Sequence, residues 1–260
     1  MDDPKYREHE VFKRLTEYSD FYEGLSDTAM NSMTEGISAP FNIDTYAFTS
    51  IRGTIDSIKE TLEKGRIGDS YSLLRKYFDS ILINIYSNLI LLDNFNIENF
   101  VVDQIDKWVK GQEKMPGNNI ISPYILSSKR LTAINTLLCK DKRYAEIKQR
   151  CNDYMHYNFY HNVIVNDNQV HLENRIQILD KFLSDIDNAI ILHFAYLFTV
   201  KDYYMSSSDY ADYLDIEEEP PTDSQYWVAP FIQNMFDSLI KTKRPDIATE
   251  IKNSTQMKLE

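Results

Sequence analysis

The side chains best suited to chemistry in this chain fall in one short run, RCNDYMHYNFYHN, residues 150 to 162. Arg150 keeps its charge across the ordinary pH range and offers a planar fork of donors that matches adjacent phosphate oxygens. His156 supplies an imidazole, a group type whose ordinary pKa of ~6.5 suits taking a proton and giving one back near neutrality. Asn152 places an amide four positions before that histidine. Together these residue types point to acid–base work beside a phosphate group.

The element that positions them reads as a helix from about Lys142. On it Tyr144, Ile147, Cys151 and Tyr154 fall at spacings of three, four and three and share one buried face. With ~100° per residue, Gln149, Asn152 and His156 line up on the outward side, and Arg150 lies at the flank of the apolar stripe. Arg150 and His156 are then ~120° apart around a straight helix, so one helix does not aim them at a single point. A two-fold dimer, or a helix ending near Tyr157, would let them converge.

Charge marks the same region. Between Ser128 and Arg150 seven basic residues (Lys129, Arg130, Lys140, Lys142, Arg143, Lys148 and Arg150) stand against Asp141 and Glu146, in a protein of net charge -12. A local excess of this kind suits a phosphate-bearing ligand on a chain that otherwise repels polyanions. His161 and His171 do not share a metal-ligand spacing with His156, and no carboxylate pair accompanies them, so neither a metal nor another cofactor is expected.

Glycine and proline placement sets the fold class. All seven glycines lie at or before Gly117, and no proline falls between Pro123 and Pro220. Long helices explain that pattern, and no Asn-Gly or Asp-Gly hairpin dipeptide occurs. The expectation is an all-α, multi-helix bundle. Its longest member is a seam helix over about 168–204, with Ile176, Leu179, Leu183, Ile186, Ile190, His193 and Leu197 along one side. That is ~50 Å at ~1.5 Å per residue, long enough for part of the seam to meet a second chain. A second strongly apolar helix opens at Asp69 or Ser70 and continues to about Leu92, with Arg75 and Asp79 four apart on its exposed side. Further helices are expected near 5–23, 50–66, 97–110, 123–138 and 223–242, and after Pro245. The stretch GQEKMPGNN from Gly111 reads as a loop. The domain reading is a helical segment over 1–48, a core over 49–204, an acidic linker over 205–222 and C-terminal helices over 223–260 that pack on the core. Two cysteines, no secretory pattern and no apolar run of the ~20 residues a spanning helix needs give cytoplasmic as the expected location and no membrane contact.

Arg150, Asn152 and His156, late in an all-α chain and just before a long helix, resemble the signature of the HEPN superfamily of helical RNA-cleaving and nucleotide-binding domains. Here Cys151 follows the arginine directly and the polar residue comes one position later. The helix opening Leu73-Leu74-Arg75-Lys76-Tyr77-Phe78-Asp79 is also similar to one found in several such proteins, and the resemblance spans about residues 50–204. It implies a metal-independent ribonuclease acting as a homodimer, in a toxin or phage-defence system that supplies a partner protein. By this resemblance His156 would move protons, Arg150 would stabilise the phosphate and Asn152 would orient one or the other. Lys140, Lys142, Arg143, Lys148 and Tyr157 would hold RNA, with Phe159 and Tyr160 as further stacking rings, whereas Tyr154 belongs to the core. Two alternatives stay open: a module on the same fold that binds a nucleotide or a partner without cutting, and a helical interaction protein with no ligand.

Overall fold

A computed structural model describes residues 3–170 and 172–260. The protein is 71% helical and, among the described residues, β pairing is limited to isolated bridges, so the fold is all-α. In chain order the helices are α1 (Pro4–Arg7), α2 (Glu10–Met30), α3 (Ile43–Glu63), α4 (Ile67–Asn94), α5 (Asp103–Val109), α6 (Asn118–Ser127), α7 (Thr132–Leu138) and α8 (Arg143–Met155). There follow α9 (Tyr160–Ile164), α10 (Arg175–Val200), α11 (Asp209–Asp215), α12 (Pro230–Met235), which runs on as a π segment to Lys241, and α13 (Pro245–Ser254). They form two compact units, Met1–Ile121 with Asp141–Ile190, and Ser122–Lys140 with Ile191–Glu260. The units interleave along the chain, because compactness follows which faces meet and not chain order.

In the first unit, α2 buries Val11, Leu15, Tyr18, Tyr22, Leu25 and Ala29 at alternating spacings of four and three. Helix α3 does the same with Phe48, Ile51, Ile55, Ile58 and Leu62. The turn from α3 to α4 is short because Gly65 adopts a left-handed φ of 76°. Its N–H donates to Leu62 O and that of Arg66 to Thr61 O, a Schellman closure that satisfies the last carbonyls of α3. Such a turn returns α4 antiparallel beside α3, and α4 in turn packs along α8. Arg175, at the start of α10, donates to the carbonyls of Gly65, Val165, Asp167 and Val170 and so ties the α3–α4 turn to the loop between α9 and α10.

The seam helix is shorter than expected, Arg175–Val200 against about 168–204. Residues 166–168 read Asn-Asp-Asn, and Asp167 Oδ1 accepts from the Gln169 N–H, a local turn that competes with helix. At the other end Lys201 leaves helical geometry, with φ -137° and ψ 71°. Of the seam residues, Leu179, Ile186, Ile190, His193 and Leu197 are buried within the chain and Ile176 and Leu183 half-buried, so most of the seam is core. By length and composition α10 resembles a membrane span, but 72% of that apolar window is buried inside the fold.

The helix expected over 123–138 breaks in the second unit. Ser128 is extended, and the buried Asn135 of α7 donates from Nδ2 to Ile125 O and Leu126 O, which takes the place of continued helix at the end of α6. The acidic stretch after Met205 holds α11, a short helix without a buried residue.

Candidate functional site

Helix α8 lies on α4 with the face expected from its periodicity: Ile147, Cys151 and Tyr154 are buried and Tyr144 half-buried. The Tyr154 ring stacks flat on Tyr71 of α4, with centroids 4.2 Å apart and an interplanar angle of 3°. Tyr71 meets Phe182 of α10 edge-on at 4.9 Å. These contacts hold α8 in register with α4 and with the first turns of α10.

That register brings Arg150 to Asp185. Arg150 Nε donates to Asp185 Oδ2 at 2.6 Å and Nη2 to Oδ1 at 3.1 Å. The Asp185 side chain is 1% exposed and that of Arg150 26%. Lys181 adds its ammonium at 3.2 Å, and the Tyr71 hydroxyl donates at 3.4 Å. Burial opposes the Arg150 charge, but the hydrogen bonds and charge of Asp185 outweigh it and raise the guanidinium pKa. The arginine is therefore oriented, and largely neutralised, by a carboxylate. Its Nη1 makes no hydrogen bond among the described residues.

Asn152 has a different partner from the one expected. Its Oδ1 accepts from Arg75 Nη1 at 2.8 Å, while Arg75 Nε donates to Asp79 at 3.0 Å and Asn118 closes the chain on Asp79 at 2.8 Å. Asn152 thus positions Arg75, not His156. Lys148 sits half-buried beside this group; burial first, and the nearby Arg75 charge second, lower its pKa.

His156 caps the C-terminus of α8 and is exposed. Tyr157 follows with a left-handed φ of 50°; its N–H donates to Tyr154 O, and that of Asn158 to Asp153 O, a Schellman closure without glycine. Asp153 collects Gln149 and Asn158 on its carboxylate and Asn162 on its carbonyl, which fixes the chain as it leaves the helix. The result is a run of exposed rings around the histidine: Tyr157 is 49% exposed, Phe159 62% and Tyr160 77%.

The basic residues do not all remain available. Arg143 is paired with Asp141 and donates to Asn188, and Arg150 is bound to Asp185. Lys140 belongs to the second unit, where it meets Asp246 at 3.4 Å. Lys142 is exposed at the start of α8. Among the described residues no three His, Cys, Asp or Glu side chains are grouped to hold a metal; His171 lies outside the described residues. Asp185 is the site residue that sequence reasoning missed, since it stands in the seam helix as one of several acids. The sole signal was an acidic residue at a position flanked by apolar ones, Phe182 and Ile186.

Compared with protein-family models, curated proteins and solved structures, the chain matches none.

Proposed function

We propose that the C-terminal end of α8 binds single-stranded RNA and, in a HEPN-like homodimer, cleaves it with His156 and without a metal. The observation that carries this reading is an exposed imidazole set among the exposed rings of Tyr157, Phe159 and Tyr160. Unpaired bases stack on such rings whatever their identity, and each stack contributes ~1–3 kcal/mol. His156 would take the ribose 2′-hydroxyl proton. The 2′-oxygen then bonds to phosphorus, the bond to the 5′-oxygen breaks, and the protonated His156 of the second copy supplies that oxygen's proton. A cyclic phosphate and a free 5′-hydroxyl result. Arg150, held by Asp185, would meet the phosphate through Nη1. Since Arg150 turns inward and His156 outward in one chain, the two copies must complete each other's site. Such an activity fits a toxin or phage-defence component, restrained by a partner protein in the cytoplasm.

A second reading is a module that holds RNA or a nucleotide without cutting it. It is favoured by the engagement of Arg150 with Asp185 and of Asn152 with Arg75. One experiment separates them: incubate the protein with end-labelled single-stranded and duplex RNA in chelator, and score both retention and cleavage as salt is raised. Cleavage of the single strand in chelator, lost with His156→Ala, supports the nuclease. Salt-sensitive retention without cleavage supports the binding module, and cleavage that needs a divalent ion overturns the mechanism.

A further inference from the structure

Helix α8 turns two different flanks to its neighbours. Arg150 lies on the α10 side, where Asp185 holds it. Lys148 stands two residues earlier, about 160° away around the helix, and so falls on the other side of the buried stripe of Ile147, Cys151 and Tyr154. That side faces α4: Asn152, one turn after Lys148 and on the same face, accepts from Arg75 Nη1 at 2.8 Å. An ammonium of α8 and a guanidinium of α4 are thereby set side by side.

The guanidinium is fixed before any ligand arrives. Arg75 Nε donates to Asp79 at 3.0 Å, Asn118 Nδ2 holds the same carboxylate at 2.8 Å, and the Arg75 side chain is 15% exposed. Lys148 is half-buried, and its ammonium makes no hydrogen bond or salt bridge among the described residues. Arg75 Nη2 and Asn152 Nδ2 likewise donate to nothing among the described residues. Burial first and the Arg75 charge second lower the Lys148 pKa, while Asp79 acts in the opposite direction. Two cations against one carboxylate leave the group positive in a protein of charge -12.

Unmet donors call for an oxygen-rich acceptor, and adjacent like charges call for an anion. A carboxylate offers its oxygens in one plane. These donors come from α4 and from two successive turns of α8, and a phosphate, whose oxygens point tetrahedrally, can meet all of them. We propose that Arg75, Lys148 and Asn152 form a phosphate-binding site between α4 and α8, with the two cations sharing the charge and the Asn152 amide as third donor. Arg150 and His156 take no part in it, so the site stands apart from RNA cleavage. The phosphate belongs either to an RNA backbone or to a small phosphorylated ligand.

The test labels the intact protein with a trace of an amine-acylating reagent and reads each lysine by mass spectrometry. Inorganic phosphate at about ten times its dissociation constant should slow acylation of Lys148 about tenfold, and Lys142, exposed on the same helix, should change little. Acetate and chloride at equal ionic strength should protect neither lysine. Arg75→Gln should remove the protection of Lys148 and Arg150→Ala should leave it. Protection by single-stranded RNA assigns the phosphate to a strand; protection by inorganic phosphate or AMP but not by RNA assigns it to a small ligand. RNA that is retained and cut while phosphate leaves Lys148 unprotected would sink this site alone, and phosphate protection without RNA retention would sink the RNA reading alone. If Arg75→Gln does not fold, the comparison of phosphate with acetate on the unaltered protein still decides. Lys148 acylated at one rate with and without phosphate, equal protection by acetate, or protection that survives Arg75→Gln would each overturn the proposal.

Discussion

Arg150 and Asp185 are 35 residues apart and form a two-point ion pair, with an exposed rim on the arginine side and a buried carboxylate beneath. The pair joins α8 to α10 and sets the orientation of the one guanidinium that the RNA reading needs. Removing the carboxylate leaves Arg150 and Lys181 facing an empty socket. Asp185→Asn should therefore cost about 2–3 kcal/mol in chemical denaturation, below the largest values for buried pairs because both cations reach solvent. A double-mutant cycle of Arg150→Ala with Asp185→Ala should give a coupling of about 1–2 kcal/mol; additivity within a few tenths would show that the two do not act together.

His156→Ala removes an exposed ring with no role in packing, so stability should stay within about 0.5 kcal/mol of wild type. RNA cleavage should fall by ~10²–10⁴-fold while RNA retention on a filter changes little. A large drop in melting temperature would place the ring in an interface instead.

Tyr157 occupies a left-handed conformation that costs most L residues ~1–2 kcal/mol. Tyr157→Gly relieves it and gives back about half in chain entropy, so the urea midpoint should rise by the equivalent of ~0.5 kcal/mol. The same change should weaken single-stranded RNA binding by ~1–3 kcal/mol if the ring stacks a base. Both quantities moving down together would contradict this placement.

Cysteine reactivity and alkaline stability share one cause. Burial, and then the nearby Asp185 charge, push the Cys151 thiol up to about 12, whereas Cys139 is exposed. Titration with an aromatic disulfide at pH 8 should find one thiol in the native protein and two after denaturation. In the unfolded chain Cys151 ionises near 9.0, so the native state holds a proton that the unfolded state has lost. Its contribution is full below pH 9 and is lost as pH rises from 9 towards 12. Tyr6, pushed up to about 12 mainly by burial, adds the same sign from its ordinary value of 10.0. The denaturation midpoint should fall steadily between pH 9 and 11, and Cys151→Ala should flatten the first part of that fall.

The sequence by itself determined what depends on neighbours along the chain. A scarcity of glycine and proline over residues 124–219, and apolar positions at spacings of three and four, suffice for the all-α class, because helical hydrogen bonds and side-chain stripes are local. For the same reason the buried face of α8, with Ile147, Cys151 and Tyr154, and the outward place of His156 were legible. Helix ends were legible less well, since Asp167 and Asn135 stop helices through side-chain bonds that compete closely with continued helix. What only the tertiary structure decided is who pairs with whom. Asn152 meets Arg75 across 77 residues and Arg150 meets Asp185 across 35, and charged side chains carry no mark of a partner that distant. A cavity of about 520 Å³ lined by residues of α3, α4 and α5, among them Ile51, Ile83 and Trp108, is likewise made by three helices whose separate sequences hold no motif.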